Sequence, residues 1–425
     1  MNSPRFVHVE QSFPNRAIPD IEDHIRRELA SSNLVQRIPK GARIAIGVGS
    51  RGIANIARIT KAVVDFWKEH GAHPFIIPAM GSHGAATAEG QTDVLAHYGI
   101  TPETMGCEIR SSLDVIDLGR SPEGIDVFLD RNASQAGGVF LVGRIKQHTD
   151  FAGKIESGLY KMMAIGLGKW AGAKNYHMQA RRLGLEAVIR SVGRQVLGSG
   201  KILGGLAILE DAFHNTAKLA AVPAAVMEAR EEELLALSKT WAATLPLDLD
   251  LLIIDEMGKI YSGAGMDTKI VNRGVEGEIN PWPGLPHVER IFVRGLSSRS
   301  YGNASGIGMA EVITDRLAAA IDNNATWLNV LTATTPRCGK LPIHFPTDRE
   351  CVERIVPTLG KPDFTDVRIG WIANTLAVSP IALSENLRPE IEANPLLEIL
   401  GDARDLPFGP DDNLPLDFFG PVAAH

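Results

Sequence analysis

The chain has 425 residues, of which 44% are hydrophobic and 22% charged, with a formal net charge of −7. That length exceeds one ordinary core and that mixture is globular, so two domains are expected and wholesale disorder is excluded. Acidic balance with scattered basic residues offers no footprint for nucleic acid or an anionic membrane, and neither is expected as a partner.

The N-terminal stretch, MNSPRFVHVEQSFPNRAIPD, lacks the apolar segment of a secretory signal. Ala42 to Val48 reads as a buried strand, Ile53 to Glu69 as a helix and Pro74 to Pro78 as a second strand. A helix is expected from Thr87 to Tyr98, and a strand from Gly138 to Val142 that enters a polar turn, Arg144 to Asp150. Val222 to Leu245 reads as one long helix ending at Pro246. After it come strands at Leu249 to Asp255 and His287 to Val293, a helix at Gly308 to Ile321, and a strand at Ile369 to Ile372. No apolar run approaches the ~20 residues of a membrane helix. Cys107, Cys338 and Cys351 lie far apart without a CxxC pair, which argues for a reducing compartment, the cytoplasm, and against structural zinc.

This alternation predicts an α/β protein of two lobes, each a mainly parallel sheet flanked by helices. The expected domains are 1–246 and 247–425, with the active site in the cleft between them, since α/β sheets bind ligands beyond the carboxyl ends of their strands.

Three turns carry chemistry. Gly47-Val48-Gly49-Ser50-Arg51-Gly52 matches G-x-G-x-x-G between a strand and a helix, a context for an anion on backbone N–H groups. A NAD site also wants an acid at the end of the next strand, where the sequence has Pro78-Ala79-Met80-Gly81. A tight turn with no ligand is the plain alternative, and the fork of Arg51 suits a carboxylate or phosphate. Gly81-Ser82-His83-Gly84 is a second strand-to-helix turn, and its imidazole suits proton transfer as well as simple capping. The third segment, RIKQHTDFAGKIESGLYKMMAIGLGKWAGAKNYH, runs from Arg144 to His177. It sets His148 after a strand and Lys161 among Leu159, Met162, Met163 and Ile165, an apolar setting that activates an amine. Glycines 153, 158, 166, 168 and 172 would admit a bulky ligand. Singly, His148 reads as a loop residue, Lys161 as a snorkelling lysine and His177 as a helix-end histidine.

Together these residues resemble the lactate racemase family, whose members use a nickel pincer nucleotide. Ser50-Arg51, Gly81-Ser82-His83 and His148-Thr149-Asp150-Phe151-Ala152-Gly153 match its turns in order, and Lys161 and His177 complete the pattern. The resemblance implies that Lys161 carries the cofactor (a pyridinium-3-thioamide-5-thiocarboxylate mononucleotide with nickel) through a thioamide, and that His177 binds nickel. It makes His83 and His148 the acid/base pair and gives Arg51 the substrate carboxylate, with Ser50, Gly81 and Gly153 lining the cofactor. The implied activity is racemisation or epimerisation of a 2-hydroxy acid by reversible hydride transfer, with cofactor maturation enzymes as partners. Gly47-Val48-Gly49 replaces the family's usual aspartate, and Gly84 its usual arginine, so lactate itself is not the first substrate expected.

In the second half, the loop from Gly258 to Asp267 offers Lys259 and Asp267 as cofactor or substrate contacts, or is structural. Tyr301 to Gly306 and Thr334 to Lys340, with Arg337, could also line a site, whereas Glu210-Asp211 with His214 reads as polar loop chemistry. Two other functions fit the same residues: an NAD-dependent oxidoreductase, and a non-catalytic nucleotide-binding homologue.

Overall fold

The computed structural model describes residues 5–49, 52–416 and 418–420. It divides into two compact units, 14–242 and 1–13 with 243–425. The opening strand, β1 (Arg5–Gln11), therefore departs from the domain expected over 1–246. It alternates buried and exposed residues, and its hydrogen bonds are made antiparallel to strands near the C-terminus.

Unit 14–242 is built on β2 (Arg43–Val48), β3 (His73–Pro78), a hairpin of β4 (Val115–Arg120) and β5 (Asp126–Asp130), β6 (Gly138–Arg144), β7 (Ile202–Glu210) and β8 (Thr216–Pro223). Its main sheet has the order β3-β2-β6-β7-β8, parallel except for β8. Successive residues explain why it is covered on both faces. Ala45, Phe75, Ile77, Val139 and Leu141 enter one core, while Ile44, Ile46, Ile76, Phe140 and Val142 enter the other. Near-continuous apolar strands are the signature of such a sheet.

The remaining strands are β9 (Leu249–Met257), β10 (Val288–Leu296), β11 (Val312–Thr314), β12 (Ile343–Phe345), β13 (Ile369–Ile372), β14 (Ile381–Ser384), β15 (Leu397–Ile399) and β16 (Arg404–Asp405). They form a mixed sheet, β12-β11-β10-β9-β13-β14-β1-β15, with β16 on β1. It too separates two cores, Leu252, Ile254, Ile291 and Val293 on one side and Leu251, Ile253 and Phe292 on the other.

The fold is the expected α/β class, with two local differences. Residues expected to open the helix at Val222 instead end β8, because the alternation in Thr216–Pro223 pairs with β7, and the helix is Met227–Trp241. The helix expected over Gly308 to Ile321 is interrupted by Val312-Ile313-Thr314. This β-branched run pairs with β10, and its Thr314 caps a short helix, Asp315–Ala320. Among the described residues no helix is long and apolar enough to cross a membrane.

Candidate functional site

The sheet of unit 14–242 starts at β2, steps to β3 on one side, then crosses to β6 on the other. Such a reversal opens a crevice beyond the carboxyl ends of the strands. The turn after β2, the Gly81 turn after β3 and the His148 loop after β6 all lie on that edge. His83 and His148 thus follow strands two positions apart, roughly 10 Å at ordinary strand spacing. The strand between those two is β2; Ser50 and Arg51 lie outside the described residues.

The His83 turn is held from below by buried polar groups. Gly81 adopts φ 60°, and a side chain there would meet Ile165 at 2.8 Å, so both backbone freedom and close approach require glycine. The Gln91 amide donates to the carbonyls of Gly81 (2.8 Å) and His83 (3.4 Å). Lys169, with no exposed surface, donates to Pro78 O at 2.6 Å and Gln91 Oε1 at 3.4 Å. Its ammonium pairs with the equally buried Asp130 at 2.9 Å. Burial lowers the Lys169 pKa and the Asp130 carboxylate opposes that.

The His148 loop folds around a carboxylate. Glu156, 1% exposed, accepts from the backbone N–H of His148 at 2.5 Å and of Gly153 at 3.0 Å. Lys239, on Met227–Trp241, pairs with Glu156 at 2.5 Å and donates to Gly153 O at 2.9 Å. The His148 ring accepts from the Asp150 N–H at 3.0 Å and lies against Phe151, ring centres 4.7 Å apart.

Lys161 ends a single helical turn, Leu159–Lys161, followed at once by a π-turn, Met162–Gly166. Such turns concentrate at functional sites. This segment lies across the strand ends: Met162 packs against Gly143 and Gly49, and Gly81 N–H donates to Gly166 O at 3.4 Å. Lys161 and His177 are brought together. The His177 pKa is lowered first by burial and then by the positive charge of Lys161, which favours a neutral imidazole with a lone pair for a ligand.

The glycines of this segment serve packing within the protein. The space a side chain would need is filled at Gly153 by Glu186, at Gly158 by Glu231, at Gly166 by the Ala79 carbonyl, at Gly168 by the Ala164 carbonyl and at Gly172 by Tyr176. The expectation that they open room for a ligand is corrected accordingly. Close internal contact, rather than a cradle, is the reason for glycine at each.

Glu210 takes over part of the G-x-G-x-x-G turn. Its Oε1 accepts from Ala54 N–H at 2.9 Å, and it pairs with Arg144, which also donates to Gly52 O at 2.9 Å. A protein carboxylate thus sits at the mouth of the helix Ile56–Glu69, where a dinucleotide phosphate would sit. Asp211 accepts from the N–H groups of Phe213, Asn215 and Arg16, so Glu210 and Asp211 are loop chemistry, as expected.

In the second unit, Lys259 donates to Gly263 O and Asn329 Oδ1, both at 2.7 Å, and Asp267 accepts from Lys269 N–H at 2.9 Å. Neither Lys259 nor Asp267 lines the cavity of about 540 Å³ in this unit, which is bordered by residues including Trp327, Leu331, Pro336, Lys340 and Leu341. Part of the Thr334 to Lys340 segment borders it, whereas Arg337 is exposed.

The donor set bears on the implied cofactor. Among the described residues no three His, Cys, Asp or Glu side chains converge on a metal. A neutral imidazole and an amine are a chemistry that suits a metal whose other ligands belong to an organic group joined to that amine, and Lys161 and His177 are the candidates for those two parts.

Gln91, Asp130, Glu156, Lys169, Glu231 and Lys239 were not anticipated from sequence, although the run of polar side chains among apolar neighbours at Glu156 and Lys169 is a usable signal.

The unit is an open α/β sheet, parallel except for β8, with the turns of His83 and His148 at the carboxyl ends of its strands, where sheets of this kind bind ligands. Residues 7–184 match the lactate racemase N-terminal domain. The fold extends the likeness to most of the chain. It is similar to the lactate racemase apoprotein from Thermoanaerobacterium thermosaccharolyticum, with 14% identity and a TM-score of 0.51 over 88% of this chain and 99% of that one. A protein from Thermotoga maritima gives 12% identity and a TM-score of 0.51 over 85% and 97%. No curated protein matches at the sequence level.

Proposed function

We propose that this chain is an isomerase that inverts Cα of a 2-hydroxy acid, with a nickel pincer nucleotide carried on Lys161. The observation that carries this reading is that the segment bearing Lys161 is laid over the His83 turn, with the charge of Lys161 felt by a half-buried His177 whose pKa burial lowers. When bound, that group supplies a reversible hydride acceptor.

Removing the α-hydrogen as a proton would leave a carbanion beside a carboxylate, so departure as hydride avoids adjacent charges. The substrate hydroxyl must then lose its proton. His83 and His148, in the turns after the two strands that flank β2, take and return that proton from opposite faces, the work to which imidazole is suited. Arg51 clamps the substrate carboxylate with its two-pronged donor geometry and holds the planar 2-keto acid while it turns. Lys259 and Asp267 remain candidates for contacts to cofactor or substrate. We place the protein in the cytoplasm, consistent with three cysteines far apart in the sequence and without a CxxC pair, and expect cofactor maturation enzymes as its partners. The NAD-dependent alternative is disfavoured by Glu210 at the mouth of the helix Ile56–Glu69.

The test is a screen of single enantiomers of 2-hydroxy acids with protein co-expressed with the maturation enzymes, followed by optical rotation. Loss of rotation that disappears in His83→Ala and in His148→Ala supports the reading. Cofactor-loaded protein that racemises none of them identifies a non-catalytic homologue and overturns it.

A further inference from the structure

The helix Met227–Trp241 lies beyond the residues that match the lactate racemase domain, yet it reaches two segments of the candidate site. Glu231 has no exposed surface. Its Oε2 accepts from Tyr160 N–H at 3.0 Å, next to Lys161, while Oε1 has no partner and would lie 2.2 Å from a Cβ at Gly158. The Glu231 carboxyl group thus plugs the N-terminus of the one-turn helix that ends in Lys161. Glu228, one turn earlier, accepts from the Tyr160 hydroxyl at 3.0 Å and pairs with Arg190 and Arg194, which braces the same turn. Two turns on, Lys239 pairs with Glu156, the carboxylate around which the His148 loop is wound. Ser238 beside it donates to Ile145 O at 3.1 Å, at the root of that loop.

We propose that Glu231 and Lys239 are positioning residues that let one helix set the Lys161 amine and the His148 imidazole in a fixed relation. This deepens the reading above, in which those two groups carry the cofactor and move a proton. A buried acceptor on backbone N–H groups holds a turn more strictly than packing alone, because an orphaned N–H in the interior is costly. Partial burial makes Lys239 a directed contact rather than a surface ion pair, since both ends of its reach, Glu156 Oε1 and Gly153 O, belong to the loop.

The experiment measures side-chain reactivity in the full-length protein isolated without cofactor. Lysines are acylated with an N-hydroxysuccinimide ester and histidines with diethyl pyrocarbonate, and rates are read by peptide mass spectrometry. The exposed Lys174 and His73 are internal standards. Glu231→Leu, which has no acceptor for the Tyr160 N–H, is expected to change the Lys161 rate about 3- to 10-fold relative to Lys174, the effect of losing one hydrogen bond to a buried group. Lys239→Met is expected to change the His148 rate relative to His73, and Lys239→Arg to restore it. A variant that keeps the wild-type circular dichroism spectrum and the wild-type rate at its own target overturns the proposal. Should Glu231→Leu not fold, the half-exposed Lys239 still gives a decisive result on its own arm. Because no cofactor is used, failure of Lys161 to acquire an adduct on co-expression would sink the isomerase reading and leave this comparison intact.

Discussion

Lys169 and Asp130 form an ion pair with neither side chain exposed, 2.9 Å apart, beneath the turn that presents His83. Lys169 holds φ 54°, in the left-handed region that favours glycine. A long side chain in that conformation is sustained by what its ammonium grips: Asp130, the Pro78 carbonyl and Gln91.

Lys169→Met is accordingly expected to destabilise unit 14–242 by about 3–5 kcal/mol, the usual cost of stranding one member of a buried pair. The double variant Lys169→Met with Asp130→Asn should cost less than the single one. Urea unfolding of both proteins checks this, and equal or greater loss in the double variant contradicts it.

Glu210 at the head of Ile56–Glu69 predicts a second outcome. Glu210→Ala leaves the Ala54 N–H and the Arg144 guanidinium without their carboxylate and should cost about 1–3 kcal/mol. Wild-type protein should show no thermal shift with NADH. A saturable shift with NADH would restore the oxidoreductase reading.

Glu231 predicts a dependence on pH. Burial raises its pKa from 4.5 to about 8, against the lowering effect of the Tyr160 and Leu159 N–H groups. The folded protein therefore holds a proton that the unfolded chain has released between those two values. Stability from this group is complete below pH 4.5 and declines as pH rises toward about 8, by at most about 1.4 kcal/mol per pH unit. Melting temperatures between pH 6 and 9 should fall less steeply in Glu231→Gln than in wild type. Parallel curves would show that Glu231 is not the titrating group.

The sheets and turns were readable because they depend on local pattern. Apolar runs such as Leu249 to Asp255 and Gly138 to Val142 announce strands covered on both faces, and the turns that follow carry Gly81, His83 and His148. The supports were hidden for the opposite reason. In Met227–Trp241 the run Arg230-Glu231-Glu232-Glu233 reads as a solvated face, yet Glu233 is exposed and Glu231 wholly buried. Only the approach of Gly158 from distant sequence separates them. Lys169 was concealed in the same way, since nothing local distinguishes a lysine that snorkels from one that pairs with Asp130. β1 was missed as part of the other sheet because strand pairing across the length of the chain leaves no local trace.

The tether at Lys161 is the claim on which the functional account stands. Intact-mass measurement of the protein co-expressed with cofactor maturation enzymes tests it directly. The account predicts a mass increment equal to the nucleotide, absent in Lys161→Ala and retained in His83→Ala. An unmodified wild-type mass in loaded cells, or an increment that persists in Lys161→Ala, would contradict it.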